Sequence, residues 1–330
     1  MEPQHSACSS VVEGVTLTPA KSTLPTGLIA VAASLLLLAS AGCGVSSATV
    51  VQSSTAKSLG SHRAKLVVAG DIACAPGTVE ANNCRQQQTA NLTNSLHPDR
   101  VLVLGDLQYQ TGTLAAFNES YDASWGQFRS KTFPVPGNHE YATLGAGGYY
   151  DYFGSLAGDR TKGWQAQTIG GWRVIGLNSN CSAVGGCENG SAQSNWLAND
   201  LKNNAKRCTM ALWHHPRFST GTHGDSTAVS NLWAQLQAKS AELVFAGHDH
   251  DYQRFAPLTS SGKLSSKGLT SFVVGTGGRS LYPFSGSTPA RRAAIAEYGV
   301  LQLDLYSRGY RWAFKTLDGK TADSGRAYCR

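Results

Sequence analysis

AKLVVAGDIAC, residues 64–74, decides the fold of this chain, and RVLVLGDLQY, residues 100–109, repeats its pattern. Each stretch contains a continuous apolar run, which is typical of a strand that is covered on both faces. Each run then passes through glycine into an aspartate, Asp71 in the first case and Asp106 in the second. Strands with polar ends of this kind indicate an α/β sheet that gathers ligands at the carboxyl ends of its strands.

Strand and helix patterns alternate outward from these two stretches, which predicts one α/β domain with two sheets packed together. A hairpin is expected over residues 164–178, where Gly170 and Gly171 interrupt a strand pattern. The other expected strands cover residues 132–135, 209–213, 242–246, 270–274, 298–305 and 310–315. The expected helices cover residues 86–96, 114–128, 191–206 and 230–240.

Composition excludes several classes of protein. The chain has 330 residues, 41% of them hydrophobic and 15% charged, with 36 Gly, so it is too apolar for a disordered chain and too irregular for a coiled coil. The net charge of +7 favours anionic substrates or surfaces. Neither zinc-finger spacing nor an RNP-like aromatic run is present, so no dedicated nucleic-acid module is expected. The absence of a G-x-S-x-G elbow argues against a serine hydrolase.

The first 62 residues differ in composition from the rest. Residues 27–41 form an apolar run that is too short for a bilayer span and typical of a secretory signal. Small residues precede Cys43 as in a bacterial lipobox, and plain cleavage after Ala48 is the alternative. A buried helix is a further reading, although the run lacks amphipathic spacing. We expect a leader at residues 1–43, a Ser/Ala/Thr-rich linker at 44–62 and a folded domain at 63–330. The protein would be exported, extracellular or at the cell surface, with a lipidated Cys43 as membrane anchor.

Six cysteines follow the leader, which itself contains Cys8 and Cys43. An even number in an exported chain indicates disulfides, and six cysteines allow fifteen pairings. Closeness in sequence favours Cys74–Cys84 and Cys181–Cys187, which leaves Cys208–Cys329. A structural zinc site is the alternative, but no C-x₂-C pair is present.

Five of the expected strands end in side chains that are common metal ligands. These side chains are Asp71; Asp106 with Tyr109; Asn138; His214; and His248 with His250. Glycine precedes the first polar residue in four of the five cases, which lets the backbone turn sharply beside a ligand. One such residue alone is more often a turn former or a packed surface residue. Their joint occurrence at strand ends predicts a metal site.

In chain order these strand ends read GDIA, GDLQY, GNHE, ALWH and GHDH, from Gly70 to His250. The ordered set resembles the calcineurin-like metallophosphoesterases. The GDxxY form, together with GTGG at residues 275–278, resembles their purple acid phosphatase branch. Ala73 and Ala211 depart from that branch, which commonly has glycine and valine there. The resemblance implies a four-layer αββα sandwich of two packed mixed sheets.

The resemblance also implies two metal ions that share Asp106 as a bridging carboxylate. Their other ligands would be Asp71, Tyr109 and His250 for one ion, and Asn138, His214 and His248 for the second. A phenolate suits ferric iron, so iron is expected at the Tyr109 ion and iron, zinc or manganese at the second.

Further residues would surround the metals. The resemblance makes His139 and His223 catalytic, with His139 facing the phosphoryl group and His223 protonating the leaving alcohol. Glu140 would support His139. Substrate contacts are expected from His139, Glu140, His215, Arg217 and Arg279. Aromatic and basic residues of the loops 142–152 and 281–292 would either rim the site or lie in surface turns. These are Tyr149, Tyr150, Tyr152, Tyr282, Arg291 and Arg292.

The expected activity is hydrolysis of phosphate monoesters by attack of a metal-bound hydroxide, as in an acid phosphatase. A phosphodiesterase acting on nucleotides or phospholipid head groups is an alternative, because a basic protein suits all these anionic substrates. The alternative from another class is a catalytically silent metal-binding surface protein.

Overall fold

The computed structural model describes residues 58–77 and 84–330. The leader predicted at residues 1–43 and most of the linker predicted at 44–62 lie outside the described residues. Within the described ranges, no helix combines the length and the apolar character needed to cross a bilayer. The first strand begins at His62.

The described part of the chain forms thirteen strands in two sheets. In chain order the strands are β1 (His62–Ala69), β2 (Arg100–Leu104), β3 (Thr132–Val135), β4 (Gln165–Ile169), β5 (Trp172–Gly176), β6 (Thr209–Leu212), β7 (Leu243–Ala246), β8 (Tyr252–Leu258), β9 (Leu269–Val274), β10 (Arg291–Ile295), β11 (Gly299–Tyr306), β12 (Gly309–Thr316) and β13 (Thr321–Tyr328). One sheet has the order β13-β12-β11-β1-β2-β3, and the other has the order β10-β8-β9-β7-β6-β5-β4.

Both sheets are mixed, as expected. In the six-stranded sheet β1, β2 and β3 are parallel and β11 is antiparallel to β1. In the seven-stranded sheet β5, β6, β7 and β9 are parallel, whereas β4 and β8 are antiparallel to their neighbours β5 and β9. The carboxyl ends of the parallel strands therefore lie along one edge in each sheet.

Helices cover the outer faces of the two sheets. The longer α-helices are Gln86–Ser95, Gly147–Phe153, Ala192–Asn203 and Ser230–Ala238. Shorter α, 3₁₀ or π segments are Leu114–Ala116, Phe117–Tyr121, Asp122–Ser124, Trp125–Lys131, Asn138–Tyr141, Leu144–Ala146, Gly154–Ala157, Cys181–Val184 and Thr227–Val229. The helix predicted over 114–128 is thus a series of short helical segments.

Alternation along the strands builds the layers, because successive side chains of a strand point to opposite faces. Leu66 of β1 packs between the sheets in the same cluster as Phe245 of β7. Its neighbour Val67 points outward and packs in a cluster with Trp125. Val244 of β7 likewise packs among the helices on the outer face of the second sheet. Each such buried aliphatic side chain contributes about 1.5–3 kcal/mol. The four-layer αββα arrangement is confirmed.

Three disulfides are present among the described residues: Cys74–Cys84, Cys181–Cys187 and Cys208–Cys329. This is the pairing that closeness in sequence favoured. Cys208 precedes β6 and Cys329 follows β13, so the third bridge connects the end of the chain to the second sheet. Three disulfides indicate an oxidising environment.

Some strands were not predicted from the sequence. The hairpin at Gly170–Gly171 is confirmed as β4 and β5, but β8, β10 and β13 were not expected. β13 reads TADSGRAY, in which polar side chains hide the strand, and backbone pairing with β12 holds it in place. Tyr149, Tyr150 and Tyr152 were placed on the rim or in turns, which is wrong. They lie in the helix Gly147–Phe153 and are buried in the outer core.

Candidate metal centre

The site lies where the carboxyl ends of strands from both sheets meet. Asp71 follows β1, and its backbone N–H donates to Gly105 O beside β2 at 3.1 Å. Asp71 Oδ2 accepts from the backbone N–H of His248, which follows β7 of the other sheet, at 2.9 Å. A carboxylate from the first sheet therefore holds the backbone of the second at the site.

One half of the site consists of a carboxylate, a phenol and an imidazole. The hydroxyl oxygen of Tyr109 lies 3.0 Å from Asp71 Oδ1 and 2.8 Å from Nε2 of His250. His250 Nε2 lies 3.4 Å from the same carboxylate oxygen. All three residues are at most 2% exposed. This sealed group is called the tyrosine half of the site.

The other half is rich in imidazole. His214 Nε2 lies 3.1 Å from Asn138 Oδ1 and 3.1 Å from His248 Nδ1. His214 is fully buried, whereas Asn138 and His248 are partly exposed. This group, called the histidine half, is therefore more open to solvent.

Asp106 lies between the two halves. Its Oδ2 is 3.3 Å from the Tyr109 hydroxyl and 3.2 Å from His214 Nε2. Its Oδ1 accepts the backbone N–H of His139 at 2.8 Å. Burial opposes ionisation of this carboxyl, but His214 and His139 outweigh burial and hold its pKa well below the ordinary value. Asp106 is thus an anionic side chain that faces both halves.

The backbone adopts a costly conformation at the site. Asp71, Asp106 and His248 have φ of 59°, 48° and 72° and so lie in the left-handed region. This region disfavours side chains with a Cβ, by about 1–2 kcal/mol per residue. Gly137 is needed for a different reason, because a Cβ there would overlap the backbone and carboxylate of Asp106. The backbone at these strand ends therefore allows neighbouring strand ends and their side chains to lie unusually close to one another.

The donor chemistry of the site fits metal ions. Nδ1 of His214 lies 2.9 Å from Leu104 O, and Nδ1 of His250 lies 2.6 Å from Ser280 O. Each Nδ1–H donates to its carbonyl, which leaves both Nε2 lone pairs facing carboxylate oxygens. Electron-pair donors that face one another at about 3 Å repel unless a cation or a proton lies between them.

Burial and neighbouring charges shift the pKa of two side chains in the site. Burial lowers the pKa of His214, but the charge of Asp106 outweighs burial and raises it to about 9. Burial, together with Asp106 and Asp71, raises the pKa of the Tyr109 phenol well above its ordinary value. Cations bound here would reverse both effects. Ligand atoms of Asp71, Asp106 and His214 lie within 4.8 Å of one another, as a metal site requires.

Three more histidines lie around the cluster. His139 Nδ1 contacts Gln110 O at 2.6 Å, and its Nε2 lies 3.8 Å from Asp106 Oδ2. His215 Nδ1 contacts the Ser179 hydroxyl at 2.8 Å, and burial together with His214 lowers the pKa of His215 to about 3. The exposed His223 stacks on His248, with ring centroids 4.2 Å apart. His139 and His223 therefore have rings beside the cluster.

Two of the expected substrate contacts need correction. Glu140 is fully buried, and its carboxylate accepts the backbone N–H groups of Asp106, Leu107, Gln108 and Gly137. It braces the strand ends and has no free oxygen for a substrate. Arg217 donates to Ser260 O, pairs with Asp225 and lies over the Phe218 ring, and all three of these contacts lie outside the cluster.

Arg279 lies at the site. Its backbone N–H donates to Asp71 O at 2.9 Å, and its guanidinium lies over the Tyr109 ring at 5.4 Å. Tyr282, which was predicted either to rim the site or to lie in a surface turn, stacks face to face on His250 with ring centroids 3.9 Å apart. The buried Asp249 was missed altogether, although it stands between two predicted ligands in GHDH.

Comparison with known sequences finds proteins that are similar to this chain. A family model described as calcineurin-like phosphoesterase matches residues 64–252. Among curated proteins, the uncharacterized protein Rv2577 of Mycobacterium tuberculosis is 28% identical over 222 residues, which is 54% of this chain and 42% of that protein. The chain thus spans less than half the length of the curated relatives it matches.

Solved structures share the fold. A purple acid phosphatase from yellow lupin (Lupinus luteus) seeds matches with a TM-score of 0.66 and 18% identity, over 81% of this chain and 54% of that one. GAP50, described as the anchor in the inner membrane complex of Plasmodium, matches with a TM-score of 0.59 and 13% identity, over 81% and 89%. PhoD matches with a TM-score of 0.55 and 13% identity, over 82% and 68%. At these identities the likeness concerns the fold.

Proposed function

The chain belongs to the calcineurin-like phosphoesterase family, and we propose that it is an exported phosphatase that hydrolyses phosphate monoesters at a two-metal site. The observation that carries the proposal is the convergence of the donor side chains of Asp71, Asp106 and His214 within 4.8 Å. Family membership supports a metal-dependent phosphoester hydrolase. The monoester preference, the pair of metals and the export are our proposal.

The seven predicted ligands would divide as the two halves do. The tyrosine half, Asp71, Tyr109 and His250, would hold one ion, and the histidine half, Asn138, His214 and His248, would hold the second. Asp106 would be shared, because its Oδ2 contacts both halves. We assign iron to the tyrosine half and iron, zinc or manganese to the histidine half, since a phenolate suits ferric iron. Two bound cations would lower the pKa of a coordinated water and offset charge on the phosphoryl oxygens.

The residues of the chain perform the remaining tasks. His139, whose Nε2 lies 3.8 Å from Asp106 Oδ2, would in its protonated form donate a hydrogen bond from Nε2 to a phosphoryl oxygen. Arg279, beside Tyr109, would bind the same group electrostatically. His223 is exposed and stacked on His248, so it can donate a proton to the departing alcohol oxygen. Glu140 would keep the loop that carries His139 in place through its bonds to the backbone.

Hydrolysis of p-nitrophenyl phosphate and of its bis-ester distinguishes the activities. We expect the monoester to be the better substrate by kcat/KM. Faster cleavage of the bis-ester would show a phosphodiesterase. Bound transition metal, with neither ester hydrolysed, would show a catalytically silent metal-binding protein.

Tyr109→Phe tests the ligand assignment. Purified protein should show a visible phenolate-to-iron absorption band, and this variant should lose it because the hydroxyl is gone. Tyr141→Phe is the matched control, since its hydroxyl contacts Asn178 rather than the cluster. A band that persists in Tyr109→Phe contradicts the assignment.

Export is proposed from two features. Three disulfides in the described residues indicate an oxidising compartment. The apolar run at residues 27–41 and Cys43 lie outside the described residues. We propose that they form a secretion signal and a lipid attachment site. Mass analysis of the mature N-terminus tests both.

A further inference from the structure

We propose that Asp249 is the positioning residue for His223. Through Asp249, the position of the proton donor depends on the position of the metal ligands His248 and His250. The inference rests on the proposed role of His223. Asp249 stands between the predicted ligands His248 and His250, and it is fully buried. A carboxylate without exposure needs hydrogen-bond donors, and the identity of those donors shows what it holds.

The donors belong to the loop that carries His223. Asp249 Oδ1 accepts the backbone N–H of His223 at 2.7 Å. Its Oδ2 accepts the hydroxyl of Ser219, four residues earlier in the same loop. Both oxygens of one carboxylate therefore fix the two ends of the segment 219–223. Hydrogen bonds to a charged acceptor are among the stronger ones in proteins.

The middle of the same segment is held by a second buried side chain. Gln253 Oε1 accepts the backbone N–H of Thr220 at 2.9 Å and its hydroxyl at 2.8 Å. Gln253 Nε2 donates to the Ser219 hydroxyl at 2.8 Å. Gly221 lies so close to Asp249 that a Cβ would overlap the carboxylate. Asp249 and Gln253 together therefore hold the backbone of this segment.

The ring of His223 has fewer constraints. It is exposed, and its ring contacts are the stack on His248 at 4.2 Å and an edge contact with Tyr282 at 5.5 Å. The position of this ring above the site therefore depends on its backbone. Asp249 holds that backbone and lies between the ligands His248 and His250. A shift of the metal ligands would carry the proton donor with them.

This role differs from a general contribution to stability. A proton donor matters most when the leaving alcohol is a poor leaving group, and matters little for p-nitrophenol. A variant that misplaces His223 should therefore slow an alkyl phosphate far more than p-nitrophenyl phosphate. Loss of fold stability alone would slow both substrates equally per mole of protein.

The test compares Asp249→Asn, His223→Asn and the double variant on p-nitrophenyl phosphate and glycerol 2-phosphate, with metal content measured for each. Asn keeps the shape of Asp249 but loses one acceptor. We expect His223→Asn to slow the alkyl ester about 100-fold and Asp249→Asn to slow it about 10-fold, with less than about threefold effects on the nitrophenyl ester. Because Asp249 acts through His223, adding Asp249→Asn to His223→Asn should change the alkyl rate less than about twofold.

A readout independent of activity accompanies the kinetics. In metal-free protein, Asp249→Asn should speed hydrogen exchange at the backbone amide of His223, because its acceptor is weakened. Asp200→Asn is the matched control: it is also a buried aspartate, but it binds Arg173 Nε at 2.9 Å. That variant should leave both the substrate ratio and the exchange at His223 unchanged.

The outcomes separate the two proposals. If His223→Asn slows both esters equally, the proton-donor role fails and the inference about Asp249 falls with it. If His223→Asn is selective for the alkyl ester but Asp249→Asn is not, the proton donor stands and Asp249 is only structural. Multiplicative effects in the double variant would also overturn the positioning role.

Discussion

The two edges of the sheets are built in opposite ways. At the edge where parallel strands end, Asp71, Asp106 and His248 adopt left-handed backbone, and electron-pair donors face each other. At the edge where strands begin, polar groups have complementary partners. Glu242, before β7, accepts the backbone N–H groups of Thr209 and Arg330 at 2.7 and 3.1 Å. The Cys208–Cys329 disulfide lies before β6 at this same edge.

Within one fold, the strand-end edge carries the candidate site, and the strand-start edge contributes to stability. Strained backbone and crowded donors persist only when the surrounding structure compensates for them. The strand-start edge and the apolar core between the sheets provide that compensation. Substitutions at the two edges should therefore have different signatures, in activity at one and in stability at the other.

Asp106→Asn should give the largest effect. If Asp106 is the shared ligand, its removal should lower kcat/KM at least about a thousandfold, or about 4 kcal/mol, because both proposed metal ions would lose a ligand. Steady-state kinetics and metal analysis measure this. Asn tolerates the left-handed backbone and can still accept the His139 N–H, so the variant should still fold.

Asp151→Asn is the control for that variant, since Asp151 is exposed and its ion pair is with Arg160. It should retain full activity and metal. Wild-type metal content in Asp106→Asn, or activity within tenfold of wild type, would contradict the shared-ligand assignment.

Loss of the Cys208–Cys329 bridge should come next. The cysteines are 121 residues apart, and replacing both by Ala should lower the free energy of unfolding by about 4 kcal/mol. Denaturant titration measures this loss, and kcat per folded molecule should not change. Removing Cys181–Cys187, whose separation is 6, should cost about half as much. An equal loss of unfolding free energy for both bridges, or a lower kcat without Cys208–Cys329, would contradict the contrast between the two edges.

The smallest effect should come from Glu242, whose titration should make the free energy of unfolding depend on pH. Burial raises its pKa to about 7, so the folded protein holds a proton that the unfolded chain releases near pH 4.5. Stability from this group is therefore present in acid and lost as pH rises through 7. Between pH 5 and pH 7 the loss should be about 2 kcal/mol.

Unfolding titrations of Glu242→Gln across that range check the sign. The variant should show a flatter slope than wild type, because Gln does not titrate. Glu119→Gln, a change at an exposed glutamate, should keep the wild-type slope. A slope in Glu242→Gln equal to that of wild type would assign the pH dependence to other groups.

Several parts of the site could be predicted from the chain. Strands with apolar runs and polar ends predicted where donors would gather, since parallel strands share one carboxyl edge. The side chains of Glu140 and Arg217 could not be assigned this way. Glu140 is adjacent to His139 in sequence, yet its oxygens bind four backbone N–H groups. Arg217 is three residues after His214, yet it contacts Ser260 and Phe218 outside the cluster.

The order of apolar runs, glycines and ligand-type residues determined the α/β class, the family resemblance and the candidate ligands, because these depend on spacing along one strand at a time. Tertiary structure alone decided that polar β13 completes a sheet, that Tyr149 is core and that Asp249 reaches the His223 loop. Those outcomes depend on contacts between residues distant in sequence. A side chain's neighbours across a fold are set by packing and hydrogen-bond satisfaction, which no local pattern records.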